Sequence, residues 1–190
     1  MNTHSSGYYS IDEEYTIIGM QVQEQGLTTV MEIEPEVYEN PYIYGSPLHL
    51  IRAMMNIYSN CIKYNKENGE IRTHVRLLHS DEKILTYQWT ISDTGIGISE
   101  DYLSRIFEPF TQEGTDARSV YQGTSLGMSI AKALFEQMGG SIEVFSKLGE
   151  GSTFVITLPF ERAQELKTTV IEKTERESIQ DIKILLAEDN

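Results

Sequence analysis

One face of a helix predicted over residues 48–64 carries the side chains best suited to chemistry. Four polar residues recur there at i, i+4, i+7 and i+8, which puts them on an arc of about 100°: Asn56, Asn60, Lys63 and Tyr64. Asparagine is a poor helix former, so the two asparagines do nothing for the helix itself. Their carbonyl oxygens could complete the shell of a hard cation without adding charge. A merely solvated face explains the same pattern equally well.

Three glycine-containing segments follow further along the chain. DTGIGIS begins at Asp93, directly after the predicted strand ILTYQWTIS, and its Gly95 and Gly97 would let a backbone approach a flat ligand closely. QGTSLGMSIAK opens a helix whose first N–H groups can face an anion, and it lacks the lysine of a phosphate-binding P-loop. GEGSTF completes the set. Each segment alone could be a simple turn, whereas their order and spacing together are specific.

Composition narrows the range of partners. The 190 residues carry a formal net charge of −14, which argues against nucleic acid, since phosphate backbones require clustered Lys and Arg. An anionic nucleotide would need a divalent cation and local N–H or positive groups at its site. The single cysteine, Cys61, excludes a disulfide framework or a thiolate metal cluster within one chain.

Targeting signals are absent from the sequence. No window approaches the roughly 18 apolar residues of a membrane span, and the first ten residues, MNTHSSGYYS, lack the apolar core of a signal peptide. A single cysteine also fits a reducing compartment. We therefore expect a cytoplasmic, monomeric piece, whose parent protein could still be anchored in a membrane.

The elements that must position these residues mix helices and strands without strict alternation. We predict helices over 11–26, 48–64 and 126–138, a short helical stretch ending at 107, and strands over 30–34, 71–78, 84–92 and the final hairpin, 141–160. This order favours an α+β fold, a two-layer sandwich with one largely antiparallel sheet.

The chain divides into four predicted segments. Residues 1–10 are interpreted as a disordered leader and 11–161 as the folded domain. Residues 162–181 are charged and poor in apolar side chains, which is typical of a linker. Residues 182–190, IKILLAEDN, have the composition of a buried strand that ends in an acidic pair, Glu188 and Asp189.

The ordered strings NIYSNCIKY, DTGIGI, FEPF, GTSLGMSIAK and MGGSIEVFSKLGEGSTFVITLP resemble the N, first glycine, phenylalanine, second glycine and third glycine boxes of histidine kinase catalytic domains. The resemblance covers about residues 11–161. It implies a Bergerat-type ATP fold, with helices on one face of a mixed, mostly antiparallel sheet, and it implies ATP and Mg²⁺ as ligands.

The resemblance also implies a role for each residue of the helix face. Asn60 would bind the Mg²⁺ that bridges the phosphates, with Asn56 beside it. Lys63 would contact phosphate, and Tyr64 would line the nucleotide. Asn56, Asn60 and Lys63 are the residues expected to act in catalysis.

The remaining roles fall on the loops. Asp93 would accept a hydrogen bond from the adenine amino group, and Gly95 and Gly97 would lie against the purine. The other nucleotide-contacting positions carried over are Ile98, Arg118, Gly123, Thr124, Ser125, Leu126, Gly127 and Thr153. Residues 111–124 would form a mobile lid in which Arg118 is the only positive side chain. Ser125 stands where the family usually has glycine, which could stiffen the lid or cap the next helix.

Partners also follow from the resemblance. His4, His49, His74 and His79 lack the family's phospho-acceptor pattern, so the acceptor histidine is expected on a separate dimerisation domain of a homodimeric parent. Residues 182–190 resemble the first strand of a receiver domain, which implies a hybrid kinase and a downstream response regulator. Two alternatives stay open: an ATP-hydrolysing relative on the same fold, and a degenerate nucleotide-binding module.

Overall fold

The computed structural model describes residues 7–10, 22, 26–40, 42–111 and 126–163. Within these residues the chain forms a sheet of seven strands covered by helices. The strands are β1 (Gly7–Ser10), β2 (Thr28–Ile33), β3 (Tyr42–Gly45), β4 (Glu70–Ser80), β5 (Ile84–Asp93), β6 (Ser141–Lys147) and β7 (Gly151–Arg162). The helices are α1 (Pro35–Glu39), α2 (Pro47–Lys63), α3 (Glu100–Leu103) and α4 (Gly127–Gln137).

The sheet is mixed and mostly antiparallel. Its order is β1-β3-β7-β5-β4-β2, and β6 pairs with β7. β2 runs parallel to β4, whereas the other described pairs are antiparallel. The predicted α+β sandwich is therefore confirmed, and β5 lies between its two longest neighbours.

The core lies between the sheet and the two longer helices. Along β5 the odd-numbered side chains are buried and the even-numbered ones are half-buried, so one face of the strand is covered. Phe154, Ile156, Leu158 and Phe160 of β7 are buried in the same cluster. α2 and α4 contact each other and contribute the buried side chains of the second layer, which are Leu50, Ala53, Met54, Ile57, Tyr58 and Cys61 from α2 and Met128, Ala131 and Phe135 from α4.

The predicted helix over 48–64 is confirmed as α2. Pro47 occupies its first turn, where a missing N–H costs nothing, and Ser46 precedes it with an extended backbone. The hydroxyl of Ser46 makes no capping hydrogen bond, so the predicted side-chain cap is not formed. Among the described residues, no helix is both long enough and apolar enough to cross a bilayer.

Three short elements near the start of the domain were not predicted. β1 pairs with β3, and α1 fills part of the segment interpreted as a turn-rich loop. The interpretation of residues 1–10 as a disordered leader is therefore wrong for Gly7–Ser10; residues 1–6 lie outside the described part. Strands of four residues gain their stability from tertiary pairing, which a local pattern does not record. The helical stretch predicted to reach residue 107 is also shorter, because α3 ends at Leu103.

The end of the domain is fixed by Arg162, which was predicted to open the linker. Arg162 is the last residue of β7, and its guanidinium donates to the Asn40 side chain at 2.7 Å and to the Asp81 carbonyl at 2.8 Å. These contacts tie the strand end to two loops. Residues 164–190, with most of the predicted linker and the IKILLAEDN strand, lie outside the described residues, as do residues 11–21 of the first predicted helix.

A buried polar contact links α2 to the sheet. The Tyr58 hydroxyl lies 2.7 Å from the Thr73 hydroxyl, and both residues are 2% exposed. Because water cannot replace either partner there, each hydroxyl depends on the other.

We predict that Tyr58→Phe lowers the free energy of unfolding by about 1–2 kcal/mol, because it leaves the Thr73 hydroxyl buried without this partner. Thr86→Val, on the half-buried face of β5, is the control and should change stability by less than about 0.5 kcal/mol. Urea denaturation measures both. Equal effects from the two substitutions would contradict the role assigned to the hydroxyl pair.

Candidate nucleotide-binding site

The polar face of α2 forms one wall of the candidate site. Asn56, Asn60 and Lys63 are half-buried, and Tyr64, which ends the helix, is 42% exposed. No hydrogen bond joins the Asn56 or Asn60 amide to another described side chain or backbone group. The two amide oxygens are therefore available to a ligand from the described part of the fold. The Lys63 ammonium lies 4.9 Å from the centre of the Tyr64 ring, a cation–π contact at the end of the helix.

The second glycine segment meets this wall at Asn56. α4 begins at Gly127, with Leu126 at its N-cap position. A Cβ atom added to Gly127 would lie 3.3 Å from Oδ1 of Asn56. The start of α4, where backbone N–H groups lack helical partners, is thus adjacent to the polar face of α2.

Asp93 occupies the opposite side of the site, at the end of β5. Oδ1 of Asp93 accepts hydrogen bonds from the N–H of Gly95 at 2.8 Å and from the N–H of Ser152 at 3.3 Å. Burial raises the pKa of the Asp93 carboxyl, and the hydrogen bonds that it accepts oppose this rise. A buried carboxylate held in this way can accept a hydrogen bond from a ligand amino group.

Cys61 is a site neighbour that sequence reasoning missed. Its thiol hydrogen-bonds the Asp93 carboxylate from α2, and the side chain is 1% exposed. Burial raises the pKa of the Cys61 thiol, and the negative charge of Asp93 raises it further, so the thiol keeps its proton and donates. The parity of β5 could have revealed this contact: Asp93 shares its face with buried Leu85 and Ile91 and must point toward the helix layer.

Gly95 permits a close approach within the chain. A Cβ atom there would lie 2.3 Å from the Tyr64 carbonyl oxygen and 2.8 Å from Oδ1 of Asp93. The next residue, Ile96, donates its N–H to the same Tyr64 carbonyl at 3.0 Å. The expected reason for this glycine, contact with a purine, is thus preceded by another: only glycine lets the loop close onto the end of α2.

The loop after Gly95 is attached to the β6–β7 hairpin. Gly97 has φ of +70°, and a Cβ atom there would lie 2.1 Å from the Lys147 carbonyl oxygen. Ile98 donates its N–H to the Ser146 hydroxyl at 2.9 Å, and Gly149 donates to the Ile96 carbonyl at 2.7 Å. The first and third glycine segments therefore form one structural unit beside Asp93.

Thr153 does not lie on the Asp93 side of the sheet, contrary to its prediction as a ligand contact. Its hydroxyl lies 2.9 Å from the Ser92 hydroxyl on the half-buried face. Side chains alternate along a strand, so the neighbouring Ser152 takes the inward position and contacts Asp93. The error came from choosing the wrong parity in β7.

Four predicted ligand contacts lie outside the described residues: Arg118, Gly123, Thr124 and Ser125. The predicted lid, 111–124, falls outside them apart from Thr111. The other predicted positions converge on the space between α2, the start of α4 and the loop after β5. Such a convergence of a buried acceptor, amide oxygens and a helix N-terminus is typical of α+β domains that bind a nucleotide.

Comparison with known proteins identifies the family. Residues 45–162 match the family model described as histidine kinase-, DNA gyrase B-, and HSP90-like ATPase. The chain belongs to this family, since the match includes most of the residues and every glycine segment discussed above.

The relatives in this family include sensor kinases. The autoinducer 2 sensor kinase/phosphatase LuxQ of Vibrio vulnificus strain YJ016 is 36% identical over 173 residues, which cover 88% of this chain and 20% of LuxQ. Hybrid signal transduction histidine kinase B of Dictyostelium discoideum is 35% identical over 150 residues, covering 78% of this chain and 7% of that protein. The chain thus spans a fifth or less of the length of these curated relatives.

Solved structures show the same fold. Full-length ShkA in complex with AMPPNP has a TM-score of 0.67 and 26% identity, covering 85% of this chain and 32% of that one. The mycobacterial sensor histidine kinase MprB has a TM-score of 0.65 and 19% identity, covering 83% of this chain and 99% of that one. The domain is therefore an ATP-binding catalytic domain of the sensor histidine kinase type, homologous to those of hybrid kinases.

We predict that Gly95→Ala lowers the free energy of unfolding by about 2 kcal/mol or more, because the methyl group would collide with the Tyr64 carbonyl. Gly127→Ala, which meets only the Asn56 side chain, is the matched control and should cost less than about 1 kcal/mol, since alanine favours the helix. Thermal unfolding of both variants provides the measurement. Equal shifts in Tm would show that the loop does not depend on this close approach.

Proposed function

We propose that this chain transfers the γ-phosphoryl group of Mg²⁺-bound ATP to a histidine on a separate dimerisation domain of its parent protein. A neutral imidazole is already a nucleophile, so the catalytic domain mainly positions the nucleotide and stabilises charge. The observation that carries this proposal is the polar wall of α2, where Asn56 and Asn60 face the site and no carboxylate occupies either position.

The donor set fits an adenine nucleotide with its metal ion. Asp93 would accept from the exocyclic amino group, and Lys63 would contact phosphate. Asn60 would supply a neutral oxygen to Mg²⁺, with Asn56 beside it. Among the described residues, no group of three or more His, Cys, Asp and Glu side chains could hold a metal. This absence suits an ion bound through amide oxygens, phosphate and water. The ion would neutralise phosphate charge and bridge phosphate oxygens when it is bound.

The ATPase alternative requires a group that activates water. ATP-hydrolysing relatives carry a glutamate one helical turn before the metal-binding asparagine, and this chain has Asn56 at that position. An amide has no proton-accepting strength comparable to a carboxylate, so water would attack without a base. This difference favours transfer to histidine over hydrolysis.

A degenerate nucleotide-binding module is the second alternative, and Ser125 motivates it. The residues around Asp93 argue against degeneration, since the buried carboxylate keeps its donors from Gly95 and Ser152. Maintaining a buried charge is costly unless it is used, because a neutral side chain would avoid the desolvation penalty.

The proposed partners lie in the parent protein. His74 lies 3.1 Å from a Glu34 oxygen, and His79 lies 3.0 Å from an Asp81 oxygen, so both are engaged in surface contacts. We expect the acceptor histidine on a dimerisation domain, with the parent acting as a homodimer in the cytoplasm. A receiver domain that starts near residue 182, and a downstream response regulator, stay predictions from the sequence.

We predict that ATP binding depends strongly on Mg²⁺ and that Asn60→Ala removes most of this dependence, because the amide oxygen is lost from the metal shell. The expected loss of the Mg²⁺-dependent gain in affinity is about tenfold or more. Ser59→Ala, an exposed neighbour on α2, is the control. Calorimetry with Mg²⁺ and with a chelator makes the comparison, and equal sensitivity in all three proteins would refute the role given to Asn60.

Phosphoryl transfer itself is tested with γ-labelled ATP. The 190-residue chain alone should bind ATP without labelling itself and should hydrolyse it barely above background. Adding the parent's dimerisation domain in trans should give weak labelling of that domain, because a tether normally supplies a millimolar-range local concentration. Acid treatment should then remove the label, since phosphohistidine is acid-labile.

Each contrary outcome of this experiment has a distinct meaning. Acid-stable label on the isolated chain would indicate serine, threonine or another acceptor and would overturn the proposal. Rapid release of phosphate would favour the ATPase alternative. Tight ATP binding with neither transfer nor hydrolysis would favour the degenerate module.

A further inference from the structure

The two oxygens of the Asp93 carboxylate have different surroundings. Oδ1 receives both backbone donors, the N–H groups of Gly95 and Ser152, at 2.8 and 3.3 Å. The side-chain donors to the carboxylate are the thiol of Cys61 and the hydroxyl of Ser152. Ser152 belongs to the sheet, whereas Cys61 belongs to the helix layer. The carboxylate is therefore held from both layers of the domain.

We propose that Cys61 is a positioning residue that fixes the Asp93 carboxylate for adenine and against guanine. The inference rests on the proposed function, because it assumes that Asp93 faces the purine. Cys61 itself touches no ligand in this scheme. It acts by donating its S–H to Asp93 from below the site.

The need for a positioning residue follows from the torsion of an aspartate side chain. The terminal χ2 torsion of Asp is broad, so a carboxylate turns easily unless hydrogen bonds fix it. The two backbone donors converge on one oxygen and act as a pivot. A third donor, from the opposite layer, restrains rotation about that pivot.

Rotation matters because the two purines present different edges. Adenine offers an amino group where guanine carries a carbonyl oxygen, which a fixed carboxylate meets without a hydrogen bond. A carboxylate free to turn could instead accept from the ring N–H of guanine. Restraint of Asp93 thus penalises guanine more than it helps adenine.

Burial makes this thiol a dependable donor. Cys61 is 1% exposed, so no bulk water competes for its S–H or for the carboxylate on that side. It follows Asn60 directly on α2, so the same helical turn supplies the proposed metal ligand and the restraint on the purine-selecting group. A sulfhydryl is a weak donor in general, but its acceptor here is ionised, which strengthens the bond.

The competing explanation is that Cys61 only fills space in the core. A space-filling role predicts that replacements act according to volume, and that they change stability without changing the choice of nucleotide. A positioning role predicts that they act according to their capacity to donate a hydrogen bond. Serine and alanine separate the two explanations, because both are smaller than cysteine and only serine donates.

The test measures the affinities of the 190-residue chain for ATP and for GTP by calorimetry. The proteins compared are wild type, Cys61→Ala, Cys61→Ser and Ile57→Val, the last being a core change one turn earlier on the same face of α2. We expect Cys61→Ala to reduce the preference for ATP over GTP about fivefold, mainly through tighter GTP binding. Cys61→Ser and Ile57→Val should keep the preference within about twofold of wild type.

Infrared spectroscopy provides a readout that is independent of nucleotide. Cys61 is the only cysteine of the chain, so its S–H stretching band reports this one bond. Asp93→Asn should shift the band toward that of a weaker hydrogen bond, whereas Ile57→Val should leave it in place.

The outcomes separate the inference from the proposed function. An unchanged ATP preference in Cys61→Ala, or an equal loss in Cys61→Ser, would overturn the inference while leaving ATP binding intact. A wild-type chain that binds ATP and GTP equally would overturn it as well, since Asp93 would then select nothing. A wild-type chain that binds neither nucleotide would instead refute the proposed function.

Discussion

The buried charge of Asp93 is the constraint on which the rest of the site depends. A carboxylate that loses water must recover hydrogen bonds from the protein, and here the donors come from α2, from the loop after β5 and from the start of β7. Each of these segments must stop at a defined register for its donor to reach the carboxylate. One charged group therefore couples the helix layer, the central strand and the final hairpin.

A second constraint is electrostatic. The chain carries a formal net charge of −14, yet its family binds a polyanionic nucleotide. The polar wall of α2 resolves this conflict by using uncharged amides at Asn56 and Asn60, which add no further repulsion. Helix α4 begins beside Asn56, and its unpaired N–H groups favour negative charge. Attraction at the site is thus local, while the rest of the surface stays acidic.

The sequence predicted the parts of the fold whose pattern is long and regular. The periodicity of α2, the alternation of β5 and the glycines around the final hairpin each identify one element, and their order predicts the family. β1, β3 and α1 escaped because elements of four or five residues owe their form to the neighbours they pair with. Thr153 was chosen over Ser152, and Cys61 was assigned to the core, because the facing of single residues at strand ends was not worked out.

The glycine segments are specific as a set because they make room for one another. The absence of a side chain at Gly95 lets the loop close on the Tyr64 carbonyl, and this closure brings the Gly95 N–H to Oδ1 of Asp93. The same loop then bonds the β6–β7 turn, which orients Ser152 toward the carboxylate. A glycine pattern read alone suggests a ligand, whereas here its first use is intramolecular. The ligand site is the surface that remains once these backbone contacts are made, so a change in any one segment would be felt at Asp93.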